Sequence, residues 1–115
     1  MKHYIYIDDI REDDYWFNHH LTSAWQVHIC RSYQQTIDLI TAILYSGEDA
    51  QFILDLDHDL EDGNENDAEP NGYEICKWIV ENQIPLVGFH IHSVNKNGAN
   101  NMRNLLLTYN YKELI

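Results

Sequence analysis

Two runs in this chain are apolar at nearly every position rather than at alternate ones, and they constrain the fold more than any other feature. Tyr4-Ile5-Tyr6-Ile7 closes on Asp8-Asp9, and Phe52-Ile53-Leu54-Asp55-Leu56 closes on Asp57. A strand that is apolar throughout is covered on both faces, as the central strands of a parallel sheet are. Two further runs alternate. Trp25, Val27 and Ile29 interleave with Gln26, His28 and Cys30, and Val87, Phe89 and Ile91 interleave with Gly88, His90 and His92. Each has one wetter face and belongs at an edge.

Helices fall between the strands. Ser32 with Gln35 three residues on forms a capping box, Tyr33, Ile37, Ile40 and Leu44 share a face, and Gly47 marks the stop. Asn71 caps a second helix that turns Ile75, Cys76 and Ile79 inward and ends before Pro85. Asn97 is the expected cap of a last helix carrying Met102, Leu105, Leu106 and Tyr109. A short helix is expected over Asp13 to His20. With no repeat and no linker, 115 residues make one domain, residues 1–115. The alternation predicts an α/β fold of three layers with a parallel sheet ordered 2-1-3-4, which keeps the crossovers right-handed. Ligands in such sheets bind beyond the carboxyl ends of the strands at the switch point, here between strands one and three. Asp8, Asp9, Asp57 and His92 all end strands on that rim.

Composition narrows the function. Seven Lys and Arg against 19 Asp and Glu give a formal charge of −12. Phosphate backbones repel such a chain, which argues against ordinary duplex DNA binding. No apolar run is long enough to span a membrane. The first residues turn acidic without an apolar stretch, so no secretory signal is expected. Cys30 and Cys76 have no CxxC pairing and read as two reduced, buried thiols of a cytoplasmic protein.

Three carboxylates on one rim repel one another unless a cation compensates them, and oxygen ligands of this kind suit Mg²⁺ or Mn²⁺ better than Zn²⁺. Asp8, Asp9 and Asp57 are therefore the candidate metal ligands. His58 and His92 are candidate acid–base groups, with Asp59 placed to orient one of them. Ser93, Asn95 and the amide of Gly98 at a helix start are candidates for phosphate oxygens. Arg11 has two equal uses, a phosphate or a neighbouring acid. His90 is read as a polar edge residue, and His3, His19, His20 and His28 as surface residues. Residues Asp55 to Glu69 hold eight acids in fifteen positions. Counted from Asp57, the sixth position is Asp62 and the twelfth Ala68, which excludes an EF-hand. No P-loop, dinucleotide or serine-hydrolase motif occurs.

The stretches YIDDIR (Tyr6 to Arg11), LDHDLE (Leu56 to Glu61), NGYEICKWI (Asn71 to Ile79) and HIHSVNKNGANNM (His90 to Met102) occur in that order. Together they resemble the cyclic-phosphate-processing receiver-like domains, a divergent branch of the response-regulator receiver fold. Lys96 stands where that pattern often has Pro, and Ala99 where it often has Arg. No Lys-Pro pair follows, so a fifth strand should be short or missing. The resemblance implies a flavodoxin-like sheet and the opening or hydrolysis of a cyclic phosphate on an RNA end or a nucleotide derivative. Its partner would be that phosphorylated small molecule or RNA end. Two other readings fit the composition: an acidic interaction protein that mimics nucleic acid, and a degenerate receiver that only binds a partner. Either edge strand, or Trp16 and Trp25, offers a surface for a second copy.

Overall fold

The computed structural model describes residues 1–9, 23–60 and 71–114. Its elements are β1 (Lys2–Ile7), β2 (Trp25–Cys30), α1 (Tyr33–Tyr45), β3 (Gln51–Leu56), α2 (Gly72–Glu81), β4 (Gly88–Ile91) and α3 (Lys96–Thr108). All pairings are parallel and the order is β2-β1-β3-β4, as the apolar pattern predicts. This is the flavodoxin-like α/β arrangement. The fifth strand is reduced to a single parallel bridge between Phe89 and Glu113. There the Phe89 amide donates to the Lys112 carbonyl (2.9 Å) and the Leu114 amide to the Phe89 carbonyl (2.7 Å).

Register assigns the two sheet faces. Ile5 pairs with Leu54, and Ile7 with Leu56. These residues form the main core with Phe89, with Ile40 of α1, with Ile75, Cys76 and Ile79 of α2, and with Met102 and Leu106 of α3. The three helices among the described residues therefore cover one face. Tyr4, Tyr6 and Ile53 form a smaller cluster on the other, joined by Trp25 and Leu114. The helix expected over Asp13 to His20, which would supply a layer on that second face, lies outside the described residues. So do Arg11, Trp16, His19, His20 and residues 61–70.

The caps follow local chemistry. Ser32 accepts from the Gln35 amide (3.2 Å), while the Gln35 side chain accepts from the Arg31 amide (2.7 Å). Asn71 accepts from the amides of Tyr73 (2.9 Å) and Glu74 (3.3 Å). The last helix is capped by Asn95 rather than Asn97, because Asn95 Oδ1 accepts from the Gly98 amide three residues on (2.9 Å). The inward stripe of α1 centres on Thr36 and Ile40, which leaves Leu44 at the exposed margin. Tyr109 is likewise exposed; Tyr111 turns in instead and donates its hydroxyl to the Ile84 carbonyl (2.7 Å). Both cysteines are free and buried, and burial pushes the Cys76 thiol up to about 12. No helix among the described residues is long and apolar enough to cross a membrane.

On β2 the pattern is inverted relative to expectation. Cys30 pairs with Ile7 and turns with His28 toward the helices, while Val27 and Ile29 share the face of Tyr4 and Tyr6 and are 40% and 45% exposed. Trp25 is half-buried against the tyrosine cluster, with the Lys2 ammonium 5.6 Å from its ring centre.

The register that pairs His28 with Ile5 sets this facing, and a polar relay occupies the same side. His3, expected at the surface, is only 4% exposed. Its Nε2 lies 2.5 Å from Glu48 Oε1 and its Nδ1 lies 2.9 Å from Nε2 of His28, with the two rings stacked. The Glu48 carboxylate accepts from His3, whose other ring nitrogen meets His28. Burial and the neighbouring His3 ring hold His28 below the ordinary imidazole value of 6.5, partly opposed by Glu48. The unfolded chain then takes up that proton more readily, so this contribution to stability is complete above about pH 6.5 and declines as pH falls. Thermal melts from about pH 7 down to about pH 5 should show a shallower acid limb for His28→Gln than for the unmodified chain.

Candidate functional site

The site is built by extending three strand ladders one residue past their ends. The Asp8 amide donates to the Cys30 carbonyl (3.1 Å), the Asp57 amide to the Ile7 carbonyl (3.0 Å), and the His92 amide to the Leu56 carbonyl (3.0 Å). Ile7, Leu56 and Ile91 are in register, so Asp8, Asp57 and His92 are the next row across β1, β3 and β4. Strand alternation turns that row toward the tyrosine face. Each of the three offers one ligand atom, and these atoms lie within 4.8 Å of one another. Asp8 and Asp57 are buried, at 1% and 7% exposure.

Their electrostatics follow from that placement. Burial, and then the Asp8 charge, raise the Asp57 carboxyl above its ordinary range. His92, a hydrogen bond from Ser93 and the His58 amide (2.9 Å to Oδ1) oppose the rise only in part. Two buried carboxylates in this condition are what a bound cation relieves. The donor set of two carboxylate oxygens and one imidazole nitrogen fits a divalent metal.

A second cluster sits beside the first. His58 Nδ1 donates to Asp59 Oδ1 (2.8 Å), and Asn95 Nδ2 donates to the same oxygen (3.3 Å). The hydrogen bond from His58 holds the Asp59 carboxyl below its ordinary range. In the neutral ring with its proton on Nδ1, Nε2 is the acceptor. Two glycines make room for this turn. The Gly72 amide donates to the His58 carbonyl (2.8 Å), and a Cβ on Gly72 would overlap the Asp57 carbonyl oxygen. A Cβ on Gly98 would overlap the His58 ring. The start of α2 thus packs against the Asp57-His58 backbone and the start of α3 against the His58 ring.

The other expected site residues take varied places. Asp9 is half-buried and stands outside the metal-competent group. Ser93 bonds Asp57 and accepts from the Asn95 amide (3.1 Å). The Gly98 amide bonds Asn95. Arg11 lies outside the described residues. Two residues went unnoticed in the sequence. Arg31 follows Cys30 and so reaches the rim, where Nη1 donates to the Asp8 carbonyl (3.2 Å). Asp55 is fully buried in β3, with its oxygens on the Tyr4 hydroxyl and on His92 Nδ1, the latter at 2.5 Å. One signal marked it: an acid on the alternation face of Tyr4 and Tyr6 inside an apolar run.

Two expectations follow. A carboxyl with a raised value destabilises once ionised; the penalty is absent below the ordinary carboxylate range and grows as pH rises through the raised value. Metal-free Asp57→Asn should therefore melt a few degrees higher than the unmodified chain at neutral pH, a gain of about 1 kcal/mol, and Mn²⁺ should stabilise only the latter. Gly98→Ala should displace the His58 ring, costing about 1–3 kcal/mol and changing the His58 ring resonances in NMR.

Comparison with curated proteins and with solved structures yields no match. Residues 3–108 match the family described as the cyclic-phosphate processing Receiver domain. That span holds the paired acids, the LDHDL turn, the NGY helix start and the HSVN segment, the four stretches that build the rim. The chain belongs to the cyclic-phosphate processing receiver domain family.

Proposed function

We propose that this protein is a divalent-metal-dependent phosphoesterase that opens or hydrolyses a cyclic phosphate on an RNA end or a nucleotide derivative. The observation that carries the reading is the joint placement of Asp8, Asp57 and His92 beside the Asp59–His58 pair. Asp8 and Asp57 would hold the metal through oxygen and His92 through Nε2, a set that favours Mn²⁺ over Mg²⁺ because of the imidazole. Bound there, a divalent ion supplies Lewis acidity at the phosphoryl oxygens and a more acidic water. His92 thus serves as a ligand in this reading rather than as a proton carrier.

The chain's own groups do the rest. Asp59 accepts from His58 Nδ1 and keeps Nε2 as the basic nitrogen, which takes a proton from the attacking oxygen and returns it to the leaving one. Asn95 fixes Asp59 and, through its oxygen, the start of α3. Arg31, whose Nη1 reaches the Asp8 carbonyl, and Arg11, two residues past Asp9 in the sequence, each suit a phosphate oxygen. The acids Asp8, Asp55 and Asp57 are buried. A nucleic-acid mimic needs its acids spread over an exposed face, so this arrangement favours a site.

Calorimetric titration with Mn²⁺, Mg²⁺ and Zn²⁺, followed by assay on 2′,3′-cyclic nucleotides, tests the reading. Asp57→Ala should lose both metal binding and turnover. His58→Ala should keep metal binding and lose about 10²–10⁴ in rate. Absence of divalent binding at millimolar concentration, or unchanged turnover in both variants, overturns it.

A further inference from the structure

Asp55 is an anomaly that the proposed chemistry leaves unused. It is a carboxylate with no solvent exposure, placed within an otherwise apolar strand. Isolating a carboxylate from water costs several kcal/mol, and well-packed apolar residues usually serve a core better. Among the described residues its side-chain contacts go to Tyr4 and His92. One oxygen accepts from the Tyr4 hydroxyl; the other faces His92 Nδ1 at 2.5 Å. Tyr6 closes the third side, its ring stacked on that of His92 with centroids 4.7 Å apart and planes within 15°. The far nitrogen of the same ring, Nε2, lies 3.0 Å from Asp8 Oδ2.

From this geometry we infer that Asp55 is a positioning residue for the metal centre: by accepting from Nδ1–H it selects which nitrogen of His92 faces Asp8 and Asp57. The inference rests on the metal-site reading above. An imidazole can present either nitrogen, and only one carries the lone pair in each neutral tautomer. Asp55 faces Nδ1 at 2.5 Å and Asp8 faces Nε2 at 3.0 Å, so the closer carboxylate holds the proton of the neutral ring at Nδ1 and leaves Nε2 as the lone-pair atom toward the cation pocket. Tyr4 holds Asp55 from its other oxygen, and Tyr6 sets the ring plane. Tyr4, Asp55 and His92 thus form a chain of contacts that runs from the sheet interior to the rim. Register explains how it is assembled. Asp55 pairs with Tyr6 and with His90, one alternation step below the row of Asp8, Asp57 and His92. It therefore shares their face and reaches His92 diagonally across β3 and β4.

Asp55→Asn tests the assignment with little change of volume. An amide that keeps its oxygen on the Tyr4 hydroxyl turns its NH₂ toward Nδ1, which moves the ring proton to Nε2. The samples are the unmodified chain, Asp55→Asn, Tyr4→Phe and Asp8→Asn, each with a thermal melt. The readouts are Mn²⁺ and Zn²⁺ affinity by calorimetry and the ring ¹⁵N pattern of His92. That pattern is recorded with Zn²⁺ bound and, without metal, at alkaline pH. The unmodified chain should show Nδ1–H in both states. Asp55→Asn should lose about 10–100-fold in metal affinity and show Nε2–H without metal, at near-unchanged melting temperature. Should Asp55→Asn fail to fold, Tyr4→Phe decides: it leaves the aromatic body in place and should weaken binding several-fold. Unchanged affinity and an unchanged ¹⁵N pattern in Asp55→Asn would overturn the inference, while loss of binding in Asp8→Asn would leave the metal site standing. An unmodified chain that binds neither ion would overturn the metal-site reading, and an Nε2–H pattern in that chain would overturn the role of Asp55.

Discussion

Parallel pairing of β1, β3 and β4 in a single register is the constraint on which the rest of this molecule depends. Because Ile7, Leu56 and Ile91 stand side by side, the residues that follow them must stand side by side as well. Backbone hydrogen bonds continue through that next row, so the carboxylates and the imidazole are held by the sheet itself rather than by loops. A slip of one residue in any of the three strands would turn its member of the row to the helix face. The apolar core that fixes the register, with Ile5, Ile7, Leu54 and Leu56 under the helices, is thereby also what aligns the site.

Placing these groups together works against stability. Asp8, Asp55 and Asp57 are withdrawn from water within a few residues of one another along two strands. Protein interiors accept such groups when they are fully hydrogen-bonded, and Asp55 is bonded at both oxygens. Asp57 receives bonds from Ser93 and the His58 amide, yet burial and Asp8 still disfavour its ionised form. That imbalance is typical of a site organised for a cation, where charge repulsion in the metal-free chain is the counterpart of affinity.

The sequence was informative wherever a property belonged to a single segment. Unbroken apolarity in Tyr4–Ile7 and Phe52–Leu56 identified the central strands and with them the sheet order. Asn71 and Ser32 announced their helices through their own side chains. Reading failed where partners lie far apart along the chain. His3 looked like a surface residue because Glu48, its partner, is 45 residues away. His28 and Cys30 turn toward the helices although they are the more polar set of β2, because register pairs them with Ile5 and Ile7, and His28 meets His3 there. Asn95 displaced Asn97 as a cap because side-chain geometry, not residue type, decides between the two asparagines. For the candidate site, the row of Asp8, Asp57 and His92 was foreseeable from strand ends, as was the nearness of Asp59 to His58. The support given by Asp55 was not, since an acid inside an apolar run has no visible partner until register is known.

The tail beyond α3 has a wider consequence than completing an edge. Arg103 on α3 binds both oxygens of Glu113 (2.9 and 2.8 Å), Glu113 bridges to Phe89, and Leu114 packs beside Tyr4 and Ile53. Two successive residues, Glu113 and Leu114, thus form a strap around the border of the sheet, fastened to the helical layer at one end and to the tyrosine layer at the other. The helix that braces His58 and the aromatic shelf beneath His92 are thereby both tied to one short stretch of chain.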